Sequence, residues 1–142
     1  MAKEILIVDD QPGIRLLLNE VFKKQGYITH LAANGVEALK IFDQHHIDCV
    51  LLDMKIPGMN GIEILQKLKE KNKDLPVMMM TAYGEQDLID KALSLGASKY
   101  FTKPFNIFDI IPPLTHYKIE RYKLQKSKFM RVIIRKFVTY KR

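Results

Sequence analysis

A parallel, doubly wound α/β sheet is the fold class this sequence predicts, and three observations predict it. Short apolar runs alternate five times with stretches of helical period. The runs are unbroken rather than alternating, as in strands covered on both faces. Glycines at 26 and 96 stand where two of the helical stretches should close. A chain of 142 residues suits one domain with a real core.

Ile5 to Val8 is the first such run. From Ile14 to Gln25 the stripe of Leu17, Leu18, Val21 and Phe22 predicts a helix ended by Gly26. Tyr27 to Ala33 reads as the second strand. Asn34-Gly35 opens a second helix with Val36, Leu39 and Phe42 facing inward and Ile41 beside them. Cys49 to Leu52 is the third strand, and Met59 to Lys71 the third helix, apolar at Ile62, Ile64, Leu65 and Leu68. Val77 to Met80, with "MMM" as strand core, is the fourth strand. Glu85 to Leu95 is the fourth helix and Ser98 to Thr102 the fifth strand. Five strands in about 105 residues suit a flavodoxin-like sheet of order 2-1-3-4-5, with right-handed crossovers.

Charge is unevenly spread. Residues 1–104 carry 13 Lys and Arg against 14 Asp and Glu, while residues 105–142 carry 10 against 2, so the net +7 belongs to the tail. The first hundred residues therefore offer no basic surface for nucleic acid. No apolar run approaches the roughly 18 residues that span a bilayer, and "MAKEILIVDD" lacks a signal-peptide layout. The one cysteine, Cys49, lies in an apolar run as packing, which fits a reducing cytoplasm.

In a doubly wound sheet the ligand site lies beyond the carboxyl ends of the strands. Those ends carry Asp9-Asp10, Asp53, Thr81-Ala82 and Lys103-Pro104. Taken singly, Asp53 reads as a turn former or helix cap, Thr81 as a strand residue or cap, and Lys103 as a surface lysine. Their joint arrival at one edge is what those separate readings do not supply. Three converging carboxylates stay ionised together only with a cation. Oxygen-only ligands point to a hard ion, Mg²⁺ or Mn²⁺. A cation, a lysine and a hydroxyl around one carboxylate make a phosphoryl site, with Asp53 the candidate nucleophile for an aspartyl phosphate.

The motifs "ILIVDD", "VLLDMKIPGMNG", "MTAYG" and "KPF", in that order over residues 4 to about 110, resemble the signatures of bacterial two-component response-regulator receiver domains. "DDQPGIRLLLNEVF", "DMKIPGM" and "TAYGE" look most like the single-domain receivers of sporulation phosphorelays. The resemblance implies that Asp53 takes a phosphoryl group from a phosphohistidine on a sensor histidine kinase or a His phosphotransferase. It implies that Asp10, Asp53 and the backbone carbonyl of Lys55 bind Mg²⁺ directly and Asp9 through water, while Thr81 and Lys103 contact the phosphoryl group. Tyr100 matches the switch aromatic that turns inward when Thr81 moves. Gln11 and Lys55, beside the pocket, are candidate tuners of phosphoryl lifetime or plain loop residues.

Other candidates are weaker. The His45-His46 pair has no further His or Cys at metal spacing nearby and reads as surface. Gly58 and Gly61 serve the turn after Pro57, since no nucleotide-binding glycine motif is present. A Mg²⁺-dependent phosphatase with an aspartyl nucleophile is an alternative. Such enzymes commonly place the nucleophile after the first strand with an Asp two positions later, whereas here the acids at 9 and 10 are adjacent.

The receiver is expected to span residues 1–111, with a basic extension over 112–142 and no independent output domain. Asn106 and Asp109 suit the start of a fifth helix, but Pro112-Pro113 should stop or kink it. Beyond, Phe129, Val132, Ile133, Phe137 and Tyr140 form an apolar stripe among Lys and Arg. Three readings stay open for this tail: a basic segment for membrane surface or nucleic acid, a helix packing on the receiver or another chain, or a non-functional out-of-frame terminus. The first of these includes a transcription regulator using the tail on DNA.

Overall fold

The computed structural model describes residues 2–82 and 85–103, with Ala82 and Lys103 by backbone only. Expectations for residues 104–142 lie outside the described residues. The elements run β1 (Glu4–Val8), α1 (Pro12–Lys24), β2 (Ile28–Ala32), α2 (Gly35–Gln44), β3 (Cys49–Asp53), α3 (Gly61–Lys71), β4 (Val77–Ala82), α4 (Gln86–Ser94) and β5 (Lys99–Lys103). All four ladders are parallel, in the order β2-β1-β3-β4-β5 that the alternation predicts.

The unbroken apolar runs have the predicted cause. β1 and β3 lie mid-sheet, and alternate residues enter two separate cores. Ile5, Ile7, Leu51, Met78 and Met80 face α1, where Leu17, Leu18, Val21 and Phe22 meet them. Leu6, Val8, Val50, Leu52, Val77 and Met79 face α2, α3 and Ala92 of α4. Each fully buried Leu or Ile contributes about 1.5–3 kcal/mol, so the two central strands anchor the fold. β2 and β5 are the edge strands, and Ile28 of β2 is half exposed.

Helix ends follow their local chemistry. Gly26 and Gly96 adopt positive φ at the predicted stops. Asn34 and Asn60 cap α2 and α3, each side chain accepting from the backbone N–H of the Glu three residues on. α1 starts two residues before the predicted Ile14, because Pro12 occupies the first helical position, where its missing N–H costs nothing.

One predicted core residue is misplaced. Val36 is 71% exposed, and α2 instead buries Gly35 and Ala38, with Leu39, Ile41 and Phe42 partly covered. The small residues let α2 approach α3: a Cβ on Gly35 would lie 3.0 Å from Cγ1 of Ile64 in α3 and 2.9 Å from the sulfur of Met59 just before it. Leu39, Ile41 and Phe42 pack against the core as the stripe predicts, and only Val36 faces out.

The turn between α3 and β4 lies at the amino ends of the strands. Lys69 Nζ donates to the carbonyls of Lys73 (3.1 Å) and Leu75 (2.8 Å), while Lys73 and Asp74 are exposed. His45 and His46 are exposed, as expected. The tertiary fold nonetheless brings His30 of β2 against His45, with ring centroids 4.5 Å apart, a neighbour that chain spacing hides.

Candidate functional site: an acidic pocket at the carboxyl end of the sheet

Strand register brings the predicted residues to one edge. Val8 pairs with Leu52, so Asp9, Asp10 and Asp53 leave adjacent strands together. Their carboxylates place one ligand oxygen each within 4.8 Å of one another. Asp9 and Asp53 are buried, and Asp10 is partly exposed. Among the described residues this is the one group of three or more potential metal ligands. Buried like charges this close are unfavourable alone, and an all-oxygen donor set fits a hard divalent cation.

The backbone around the acids is tied down. Asp9 N–H donates to the Ala32 carbonyl (3.1 Å), and its side chain accepts from Gln11 N–H at 2.9 Å. Arg15, which the sequence analysis does not single out, donates through Nη1 to the Asp9 carbonyl at 2.7 Å. Gln11 thus reaches the site through its backbone. After Asp53, Met54 N–H donates to the Met80 carbonyl at 2.7 Å, and Gly61 N–H returns to the Met54 carbonyl at 2.9 Å.

Two glycines shape this loop for different reasons. Gly58 adopts φ +85°, a region that favours glycine. Gly61 has no room: a Cβ would sit 2.7 Å from the Asp53 carbonyl oxygen and from the Met54 Cα. Both serve the turn, as the sequence suggests.

Thr81 is fully buried within β4, one residue beyond Met80, the partner of Asp53. Its hydroxyl donates to Glu85 Oε2 at 2.9 Å, and the other oxygen of Glu85 pairs with the Lys55 ammonium. Glu85 is the residue that motif reading missed. Its signal was only an acid four residues after Thr81, a spacing that no motif or periodicity singles out. A cleft of about 440 Å³ opens beside Asp10, between the Lys55–Pro57 loop and Leu88 of α4.

Lys103 ends β5 in register with Ala82, so its backbone reaches the same edge, and its side chain lies outside the described residues. Tyr100 pairs with Met79, hence on the α4 side of the sheet, and is 39% exposed. The His45-His46 pair lies away from this edge, with His46 Nε2 on Asp48 Oδ1 at 2.8 Å.

Residues 5–114 match the response regulator receiver domain. The chain belongs to the receiver family. The receiver is 57% identical over 110 residues to sporulation initiation phosphotransferase F of Bacillus subtilis, covering 78% of this chain and 89% of that protein. It is 42% identical over 106 residues to regulatory protein AtoC of Escherichia coli, covering 75% of this chain and 23% of the relative. A CheY-like receiver from Methanospirillum hungatei aligns with a TM-score of 0.78 at 29% identity, covering 87% and 98% of the two chains. The response regulator TrrA of Thermotoga maritima, in complex with Mg²⁺-BeF, aligns with a TM-score of 0.70 at 38% identity, covering 80% and 97%. The sequence resemblance thus agrees with these matches, and the predicted strand order with the described sheet.

Proposed function

We propose that this receiver is the phosphoacceptor of a sporulation-type phosphorelay, with Asp53 taking the phosphoryl group from a phosphohistidine. The observation that carries the reading is Asp53 at the end of the central strand, beside Asp9 and Asp10, with Thr81 on the adjoining strand. An oxygen of the Asp53 carboxylate attacks phosphorus. The P–N bond breaks, and its electron pair leaves on the imidazole nitrogen, which takes a proton from solvent. The hydroxyl of Thr81 and the ammonium of Lys103 serve the oxygens of the transferred group.

Asp10, Asp53 and the Lys55 carbonyl would hold Mg²⁺ or Mn²⁺, with Asp9 acting through water. Bound there, the ion neutralises charge on the acids and on the incoming phosphoryl group. The Mg²⁺-BeF complex of the Thermotoga maritima relative supports that assignment. Tyr100 is the switch aromatic, and Gln11 and Lys55 tune the lifetime of the phosphoryl group.

The receiver then passes the group to a second His-bearing protein or signals by its change of shape, as a signalling protein with only slow self-dephosphorylation. Its partners are a sensor histidine kinase and a His phosphotransferase, in the cytoplasm. No helix among the described residues is long and apolar enough to cross a membrane. The 57% identity to a named sporulation phosphotransferase supports the relay over a DNA-binding regulator or a phosphatase.

Incubation with Mg²⁺ and acetyl phosphate tests the reading. The wild type should gain an acid-stable, alkali-labile phosphoryl group and Asp53→Asn should not. Labelling that persists in the variant, or failure of the wild type to label, would sink it.

A further inference from the structure

Glu85 occupies the N-cap position of α4, yet its side chain makes no cap hydrogen bond to that helix. The carboxylate turns back instead. Oε2 accepts the Thr81 hydroxyl at 2.9 Å, and Oε1 meets the Lys55 ammonium. The Glu85 side chain is only 10% exposed, against 71% for Lys55, so the acid is enclosed and its cation reaches in from outside. Three elements therefore meet at one carboxylate: the loop after Asp53, the end of β4 and the start of α4.

A threonine hydroxyl has one proton to donate, and a carboxylate is a strong acceptor. A phosphoryl group on Asp53 would be a second strong acceptor for that proton. The two acceptors compete, because a full hydrogen bond to one is lost to the other.

We propose that Glu85 is a positioning residue that latches the Thr81 hydroxyl in the unphosphorylated receiver, with Lys55 as the counter-ion of the latch. Phosphorylation of Asp53 then draws the Thr81 proton away from Glu85. The released carboxylate becomes available to the open N–H groups of α4, so the chemistry at β3 is transmitted to the start of α4. Lys55 is tied to the same event, since its partner changes acceptor state when Thr81 leaves. The inference deepens the phosphoacceptor reading and rests on it.

Beryllofluoride titration with Mg²⁺, followed by the methyl resonance of Thr81, tests the latch separately from the site. Wild type should show a saturable shift absent in Asp53→Asn. Glu85→Ala should bind the phosphoryl mimic about tenfold more tightly, the scale of one hydrogen bond to a charged group. Glu85→Gln, which keeps the shape of the side chain and lowers its acceptor strength, should fall between. In a Thr81→Ala background, followed on backbone amide resonances, Glu85→Ala should leave affinity unchanged, because the two residues act through one bond. Unchanged or weakened affinity in both Glu85 variants overturns the latch while leaving Asp53 intact. An equal gain in the Thr81→Ala background also overturns it, by showing that Glu85 acts only through its charge. A wild type that shows no shift overturns the phosphoacceptor reading and the latch with it.

Discussion

The two ends of the sheet gather similar residues to opposite effect. At the amino end, Asp48 Oδ2 accepts the Glu4 N–H at 2.7 Å, Asp48 N–H donates to the Glu4 carbonyl at 2.8 Å, and the carboxylates of Asp48 and Glu4 meet His46 and His30. Each acid there faces a donor. At the carboxyl end, Asp9 also accepts a backbone N–H, from Gln11, but Asp9, Asp10 and Asp53 gather one ligand oxygen each within 4.8 Å of one another. An acid matched by its neighbours holds the fold together; acids gathered against acids define a place for a cation and an incoming charge.

The sharpest way to break this contrast is to neutralise one acid at each end. Asp9→Asn should weaken Mg²⁺ binding by about 10–100-fold, as loss of an outer ligand typically does, and isothermal titration reads the change. In metal-free buffer the same substitution should raise the melting temperature, because it relieves like-charge repulsion. Asp48→Asn should instead lower it. A fall in both would erase the distinction between the ends.

Gly61→Ala probes the rigidity of the carboxyl end. Its Cβ cannot fit 2.7 Å from the Asp53 carbonyl, and overpacking of this kind costs about 1–3 kcal/mol, measurable by urea denaturation. Labelling of Asp53 should drop along with stability. Gly58→Ala has open space around it and should cost less, from its positive φ alone.

Acid titration sharpens the amino end. The Glu4 N–H is the main cause holding the Asp48 carboxyl below its usual range, with His46 assisting. A lowered folded value means that the contribution is complete above the ordinary carboxylate pKa and fades as pH falls through it toward the folded value. Asp48→Asn should therefore flatten the loss of stability below about pH 4. Melting curves from pH 6 to pH 3 would check it.

The smallest effect lies beside Asp48. Burial pushes the Cys49 thiol up to about 12, with the Asp48 charge adding to it. Because the folded value is raised, stability is unaffected below the ordinary thiol pKa and declines above it. Alkylation of native Cys49 near neutral pH should be slow, and Cys49→Ala should lessen the alkaline decline. A fast reaction under native conditions would refute the burial.

The sheet was legible because unbroken apolar runs have few other uses in a short chain, and the strand ends followed from them. Asp9, Asp10, Asp53 and Thr81 could be placed at one edge by topology alone. Val36 could not be read correctly, since small residues at 35 and 38 decide which way α2 faces. Glu85 and Arg15 escaped for a different reason. Their contacts depend on loop paths and side-chain reach, which carry no period in the sequence, and the His30–His45 contact joins elements that chain spacing holds apart.

The Lys73–Asp74 turn, pinned by Lys69, stands at the far end of β4 from Thr81. Six strand residues at about 3.3 Å each separate it from the acidic pocket by roughly 20 Å. With the native thiol enclosed, Asp74→Cys gives one reactive sulfur on a surface remote from phosphoryl chemistry. A fluorophore attached there could follow partner exchange in real time without occupying the ground where a phosphohistidine must land.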